Sequence, residues 1–249
     1  MLTKLNVLDL PVVPNVCGQV LREVERNEKW SIAHVAMNPQ AMSQMHYHEK
    51  MDEVYVILQG QGEVTKSNAE ADRIRHLATT RSVTVGNVID VPGGVIHVLS
   101  NTGYGMLEHL IIALPPFDPE DVQLLGNLAP YAQKDHPIAL RKPQDCFDGA
   151  KIIPYIFRDY DLSIAYGWTS LDAAKDKRPH YHKRSTEWIY VVGPHGQMHT
   201  DCSIEIISSG DWIKISPETP HAFNSCSSED LILVSISSPA FDMEDVYFI

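Results

Sequence analysis

The sequence predicts an all-β protein made of two similar halves. Short segments of alternating apolar and polar residues, rich in β-branched side chains, recur along the 249 residues, and clusters of Gly, Pro, Asn and Asp separate them. Residue types and spacings of the first half return in the second, which indicates a tandem duplication. Together these observations favour two antiparallel sandwiches or barrels.

The predicted strands are short and apolar on at least one face. They are SIAHVAM, EVYVILQG, VTVGNVIDV and MLEHLIIAL in the first half, and LSIAYGW, EWIYVV, SIEIIS, DWIKIS and LILVSIS in the second. One short helix is predicted, with Asp118 as N-cap, Pro119 as its first residue and Gly126 as its stop. Helix is therefore expected to be peripheral.

Two offsets relate the halves. An offset of 134 relates HYHEKMDE, residues 46–53, to HYHKRSTE, residues 180–187, whereas an offset of 124 relates LPPFDPEDV, residues 114–122, to SPAFDMEDV, residues 238–246. The difference falls in the polar stretch 66–81, which is predicted to be a longer hairpin loop. The polar, proline-bearing stretch near Pro143 separates the halves, which predicts domains at 1–142 and 143–249.

Composition narrows the function. The hydrophobic share of 44% and charged share of 21% are typical of a soluble globular chain, and we see no apolar run near the roughly 18 residues of a membrane span. A net charge of −12 argues against nucleic acid and highly anionic substrates. The N-terminus lacks a secretory signal pattern, so a cytoplasmic location is expected.

The histidine pairs suggest metal chemistry. On a strand, residues two apart point to the same face, so His46 and His48 project together. A turn through residues 49–52 is needed to bring Glu53 to that face. His97 follows the bend at residues 92–94 and supplies a third imidazole.

Three neutral imidazoles and one carboxylate form a ligand set for a divalent first-row metal and leave one or two positions for water or substrate. The second half repeats the same types in the same order. The sequence therefore predicts two metal sites, one with His46, His48, Glu53 and His97, the other with His180, His182, Glu187 and His221.

These motifs make the first half resemble the cupin superfamily. The pattern from His46 through Glu53 to Gly60 is similar to the first cupin motif, and the pattern from Gly86 through His97 is similar to the second. The resemblance covers nearly the whole chain and implies a bicupin: two double-stranded β-helix, or jelly-roll, barrels, each binding metal at its open mouth. It does not fix the reaction, because the superfamily includes dioxygenases, decarboxylases, isomerases, epimerases, lyases and storage proteins.

The second half departs from the cupin pattern while keeping its ligands. Gly193 comes one residue early, Ser216 stands where the proline is expected, and Glu218 replaces the glycine. The regularity of the first half predicts that its site is the primary catalytic centre.

We expect a metal-dependent enzyme acting on a small organic molecule. Fe(II)-dependent, dioxygenase-type oxidation is favoured because the ligand set leaves room for substrate and dioxygen. One alternative is a non-redox isomerase, epimerase or lyase, in which Mn(II), Ni(II), Zn(II) or Fe(II) acts as Lewis acid. The other is a binding or storage protein. Up to two ions per chain and a homodimer are expected, because open sheets leave edges that proteins usually cover.

The catalytic candidates are Glu53 and His97, together with Glu218. Glu218 is either an exposed turn residue or an acid near His221 that orients it or moves a proton. Tyr55 and His109 are further inward-facing candidates, with packing as the alternative for each.

Overall fold

The computed structural model describes residues 2–15, 17–67, 78–125, 133–171 and 179–249. The chain forms two compact units. The first unit comprises residues 10–140, and the second comprises residues 2–9 and 141–249. The second unit thus includes the first strand, β1 (Leu2–Asn6), which the sequence-based limits place in the first domain.

The first unit consists of two sheets. Its strands are β2 (Val20–Arg26), β3 (Ser31–Met37), β4 (His46–His48), β5 (Asp52–Gln59), β6 (Gln61–Ser67), β7 (Thr79–Thr84), β8 (Val88–Val91), β9 (Ile96–Asn101), β10 (Leu107–Leu114), β11 (Val122–Leu124) and β12 (Gln133–Lys134). One sheet has the order β2-β3-β10-β5-β8, and the other has the order β11-β4-β9-β6-β7-β12.

The second unit repeats this arrangement with more divided sheets. Its further strands are β13 (Gln144–Asp145), β14 (Lys151–Phe157), β15 (Leu162–Thr169), β16 (His180–His182), β17 (Thr186–Gly193), β18 (Gly196–His199), β19 (Ile204–Ile207), β20 (Asp211–Ile215), β21 (Ala222–Ser225), β22 (Leu231–Ser238) and β23 (Val246–Phe248). The sheets have the orders β1-β20-β17-β22-β15-β14-β13, β16-β23 and β19-β18-β21. The prediction of an all-β fold with jelly-roll sheets is confirmed.

Apolar side chains fill the space between the sheets in each unit. In the first unit, Tyr55 and Ile57 pack with Val35, Leu99 and Leu107. In the second, Ile189 and Val191 pack with Ile213, Phe223 and Leu231. The alternation that predicted the strands therefore also selects the residues of the two cores.

The helices of the described chain are single 3-10 turns, at Val7–Asp9, Pro119–Asp121, Arg158–Tyr160 and Met243–Asp245. None of them has the length and apolar character needed to cross a membrane.

The predicted helix after Asp118 is only partly correct. Asp118 caps it as expected, since its side chain accepts from the Glu120 backbone N–H at 2.9 Å. The turn ends at Asp121, however, because residues 122–124 pair with His48, Tyr47 and His46 as strand β11. Tertiary pairing thus overrides the helical signal, and the stop assigned to Gly126 lies outside the described residues. The same holds for residues 68–77 of the predicted hairpin loop.

Candidate metal centres

The first cluster lies on three strands drawn from the two sheets of the first unit. His46 and His48 come from β4, Glu53 from β5 and His97 from β9, where it pairs with His46. All four side chains are buried. One ligand atom from each lies within 4.8 Å of the others, so the four residues can hold a single ion.

A buried carboxylate shapes the turn that brings Glu53 back to the histidines. Asp121 accepts hydrogen bonds from the backbone N–H groups of Glu49, Lys50 and Met51 at 3.1–3.2 Å. Successive N–H groups that converge on one anion form a tight turn. The chain therefore reverses between His48 and Glu53 over three residues.

A second turn places His97. Gly94 has φ of +79°, a conformation that glycine adopts without a steric cost, and its N–H donates to the carbonyl of His48 at 2.6 Å. The Gly93 N–H donates to Asp52 Oδ1 at 2.8 Å. Both bonds tie the turn before β9 to the strands that carry the other ligands.

Backbone carbonyls fix the tautomer of two imidazoles. Nδ1 of His46 lies 2.8 Å from the carbonyl oxygen of Gln44, and Nδ1 of His97 lies 2.9 Å from that of Val95. Because a carbonyl only accepts, each Nδ1 must carry the proton, and each Nε2 then presents a lone pair. This is the tautomer that binds a metal through Nε2.

The electrostatics match a metal-ligating set. Burial lowers the pKa of His46 to about 4, so its ring is neutral at pH 7. Although burial alone would raise the pKa of Glu53, the imidazoles of His48 and His97 beside it hold that pKa well below its usual range.

Unpartnered nitrogen atoms support the same reading. The Nε2 atoms of His48 and His97 lie 3.5 and 3.2 Å from Glu53, yet neither makes a hydrogen bond. Buried polar atoms are rarely left without a partner. An ion bound between them would satisfy both nitrogen atoms, so the donor set fits a divalent metal.

Tyr55 holds the carboxylate of the first cluster, and His109 packs against Tyr55. The Tyr55 hydroxyl donates to Glu53 Oε2 at 2.7 Å, and burial with the nearby Glu53 charge raises its pKa well above the usual range. The His109 ring lies 5.4 Å from that of Tyr55, and burial lowers its pKa to about 3. His109 is enclosed behind Tyr55 and is not part of the cavity wall.

A cavity of about 90 Å³ opens beside the first cluster. Its lining combines aliphatic residues, among them Ile32 and Ile111, with the Cys17 thiol, whose sulfur lies 3.8 Å from both ring nitrogens of His46. Burial, with a contribution from Glu53, raises the pKa of Cys17 to about 12. The thiol by itself is therefore protonated at neutral pH.

The second cluster reproduces this geometry. Its ligand atoms also lie within 4.8 Å of one another, and Glu187 Oε2 lies 3.0 Å from His221 Nε2 and 3.8 Å from His182 Nε2. Nδ1 of His221 faces the carbonyl oxygen of Thr219 at 3.0 Å, which fixes the same tautomer as in His97. The predicted ligand residues are thus brought together in both units.

The same carboxylate support is present in the second unit. Asp245 accepts from the backbone N–H groups of Lys183, Arg184 and Ser185 at 3.0–3.2 Å. Sequence reasoning explained these acidic segments by helix capping and missed this role. The retention of Asp121 and Asp245 at an offset of 124 was the available signal.

The two clusters differ in the group that holds the carboxylate. In the second unit the Ser235 hydroxyl donates to Glu187 Oε1, whereas Ile189 takes the strand position that Tyr55 has in the first. Burial would raise the pKa of Glu187, but His221 and His182 lower it to about 2. Each glutamate is therefore anionic and held by one hydroxyl.

A cavity of about 150 Å³ adjoins the second cluster. Phe147 lies 4.8 Å from His180, Phe223 lies 5.9 Å from His221, and Phe241 lies 6.1 Å from His182, measured between ring centroids. The second cavity is therefore larger than the first and has a more aromatic wall.

Glu218 lies in the turn and not beside the cluster. Its side chain is exposed, its φ is +63°, and its N–H donates to the carbonyl of His182 at 2.6 Å. The positive φ and the hydrogen bond from the N–H to a histidine carbonyl are the same as those of Gly94 in the first unit. The structure thus gives Glu218 the exposed-turn position and offers no contact through which it would act on His221.

Comparisons with known proteins agree with this architecture. The family model described as Cupin matches residues 21–112. An uncharacterized protein from Methanocaldococcus jannaschii is 26% identical over 113 residues, which cover 43% of this chain and 82% of that protein.

Solved structures match nearly the whole chain. Vicilin from Solanum lycopersicum (tomato) superposes with a TM-score of 0.72 at 15% identity, covering 96% of this chain and 85% of the vicilin chain. Oxalate decarboxylase from Lactobacillus farciminis, in a formate complex, gives 0.65 at 16% identity, covering 94% and 85%. The Bacillus subtilis oxalate decarboxylase gives 0.65 at 16% identity, covering 96% and 77%.

At these identities the solved structures establish the fold alone, while the family model identifies the first unit directly. The second unit repeats the fold and the ligand arrangement of the first. Residues 21–112 thus match the Cupin family, and the chain as a whole has a two-domain cupin fold.

Proposed function

We propose that this protein is a metal-dependent enzyme that acts on a small organic molecule and binds one divalent ion in each unit. His46, His48, Glu53 and His97 would hold the first ion, and His180, His182, Glu187 and His221 the second. The observation that carries the proposal is the combination, in each unit, of buried imidazoles around an anionic carboxylate with an adjoining cavity.

Within this class we favour Fe(II)-dependent, dioxygenase-type oxidation. A bound Fe(II) would let dioxygen and substrate react at one centre, with the electrons that reduce dioxygen coming from the substrate. The protein would supply ligand orientation through Asp121 and Asp245, carboxylate positioning through Tyr55 and Ser235, and cavity walls that exclude bulk water.

The cavity walls offer little acid–base chemistry, which supports this preference. Among the described residues that line the first cavity, Glu23 is the carboxylate outside the cluster. It forms an ion pair with Arg26 at 2.7 Å. In the second cavity that carboxylate is Asp148, which accepts from the Ala150 N–H in its own turn. Isomerisation or elimination needs a protein group that moves a proton, and both carboxylates already bind a neighbouring residue.

Two other functions remain as alternatives. Mn(II), Ni(II) or Zn(II) would serve a non-redox isomerase, epimerase or lyase, and the oxalate decarboxylases show that the fold hosts enzymes. A binding or storage role is favoured by the likeness to vicilin. A purely structural ion would, however, have little use for an adjoining cavity.

The decisive experiment is anaerobic purification with metal analysis, followed by oxygen-consumption assays on catechols, β-diketones, 2-oxo acids and keto sugars. Oxygen uptake supports the favoured reaction. Turnover without oxygen supports the Lewis-acid alternative, and ligand binding without turnover supports the storage alternative.

Metal analysis of variants tests the ligand assignment. His48→Ala and His182→Ala should each lose about one ion per chain, since one of four ligand bonds is removed and nothing nearby replaces it. His136→Ala, which removes an exposed histidine, is the matched control and should retain both ions. Two ions in either ligand variant would disprove the assignment of that residue.

A further inference from the structure

The two cavities differ in size, and two paired wall positions carry smaller side chains in the second unit than in the first. In the first unit, Tyr55 pairs with Ile111 across β5 and β10, and both line the cavity. In the second unit, Ile189 pairs with Ser235 across β17 and β22, and both line the cavity there. Smaller side chains at both positions leave more space in the second unit, in line with cavities of about 90 and 150 Å³.

The aromatic wall of the second cavity is suited to binding a ligand that contains a ring. Phe147 and Phe241 are nearly parallel, with 7° between their planes, and each has its ring within about 6 Å of a histidine of the cluster. Aromatic side chains recognise other rings through stacked and edge-to-face contacts. An apolar cavity of about 150 Å³ is large enough to take up a benzene molecule.

The charges in the wall disfavour an anion. The lining residues of the second cavity that the structure describes include no lysine or arginine, and their carboxylates are Asp148 and Glu187. A divalent ion in the cluster would do no more than balance these two negative charges. A buried anionic ligand would therefore lack a counter-charge, which is costly in an apolar site.

We propose that the second cavity binds an uncharged molecule built on one six-membered ring, with a hydroxyl or carbonyl oxygen directed at the histidine cluster. The first cavity excludes this ring and takes a smaller molecule. The orientation of the oxygen rests on the proposed metal-dependent function, whereas recognition of the ring rests on the wall alone.

A pair of fluorinated probes tests the ligand class. Binding of 4-fluorophenol and of 4-fluorobenzoate is measured by 19F NMR titration of the full-length protein, both as purified and after treatment with a chelator. The neutral phenol should bind at least tenfold more tightly than the benzoate, because the two rings are alike and only the benzoate is anionic.

Matched variants locate the binding. Ala165 pairs with Ser235, and Ala33 pairs with Ile111, so the two alanines take equivalent places in the two cavities. Ala165→Leu should weaken phenol binding at least tenfold by filling the second cavity, while Ala33→Leu should leave it unchanged. Ala165→Val, a smaller addition, should give an intermediate loss and replaces Ala165→Leu if that variant does not fold.

The outcomes separate this inference from the proposed function. Absence of phenol binding, equal binding of the benzoate, or loss of binding in Ala33→Leu alone overturns the inference, whatever the metal content. Phenol binding that Ala165→Leu removes, in a protein that holds no metal under any condition, supports the ring site and overturns the metal-dependent function.

Discussion

Removal of the Asp121 carboxylate should loosen the first metal centre and destabilise its unit. Asp121 holds the three N–H groups of the turn that joins His48 to Glu53. In Asp121→Ala these donors lose their acceptor. Met51 is buried, so its N–H is deprived of water, at a cost of about 1–3 kcal/mol. Glu49 and Lys50 are exposed, and water can replace part of what their N–H groups lose.

We therefore expect Asp121→Ala to lower the free energy of unfolding of the first unit by roughly 2–4 kcal/mol, since charge-assisted hydrogen bonds are about twice as strong as neutral ones. The matched control is Asp118→Ala, which removes an exposed N-cap three residues earlier and should cost about 1 kcal/mol. Urea unfolding followed by circular dichroism measures both values.

Metal affinity provides a second measurement of the effect of Asp121→Ala. A mobile turn no longer fixes Glu53 relative to the histidines, and loss of a group that orients a ligand typically weakens metal affinity about 10–100-fold. Titration with Co(II) should show this loss at the first site only. The reasoning is refuted if Asp121→Ala is no less stable than Asp118→Ala, or if it binds two ions with unchanged affinity.

Four further predictions concern the clusters and the assembly. Tyr55→Phe, which deletes the hydroxyl bound to Glu53, should weaken metal affinity at the first site about 10–100-fold by Co(II) titration; unchanged affinity would show that the hydroxyl does not position the carboxylate. Asp245, whose pKa the N–H groups of Ser185 and Arg184 lower although burial opposes them, should stabilise the second unit above about pH 4, the ordinary aspartate pKa. That contribution should be lost as the pH falls through the lower folded-state pKa, and urea midpoints at pH 6 and pH 3 should differ less in Asp245→Asn. If the first site is the primary catalytic centre, Glu53→Gln should reduce kcat by roughly 10²-fold, or about 2.7 kcal/mol, and Glu187→Gln by less than about tenfold; the reverse order would assign the chemistry to the second unit. Light scattering should give the mass of a homodimer, and a mass near the 27.9 kDa of one chain at micromolar concentration would contradict it.

The candidate ligand residues could be predicted from the sequence to lie together because their arrangement depends on local geometry. A strand places residues two apart on one face, and the repetition of the pattern in the second half shows which positions matter. The structure gives His46 and His48 the expected common direction on β4. The helix after Asp118 was mispredicted beyond its first turn because pairing with β4 depends on contacts that local sequence does not specify.

Other features escaped prediction for identifiable reasons. Strand β2, with the sequence VLREVER, is polar because it is an edge strand with exposed positions, so it lacks the apolar alternation of a buried strand. The cavity walls escaped because each is assembled from several strands far apart in sequence. Ser235, for example, has no distinguishing feature within LILVSIS. Only the pairing of β17 with β22 places it beside Glu187.

The two halves show which parts of the site are fixed and which are free to change. Asp121 and Asp245 bind the same turn in the two units through backbone N–H groups, which every residue except proline possesses, so EKM and KRS can form equivalent turns. The position of the glutamate ligand thus depends on one acidic residue and not on the sequence of the turn. The walls have no such constraint, because Tyr55 with Ile111 and Ile189 with Ser235 each supply a packed pair and one hydroxyl to the carboxylate. Changes in side-chain size at these positions, and in the strand that carries the hydroxyl, therefore alter the volume of the cavity. They leave the arrangement of the four candidate metal-binding residues intact. This is the physical basis for expecting the two cavities to accept different molecules.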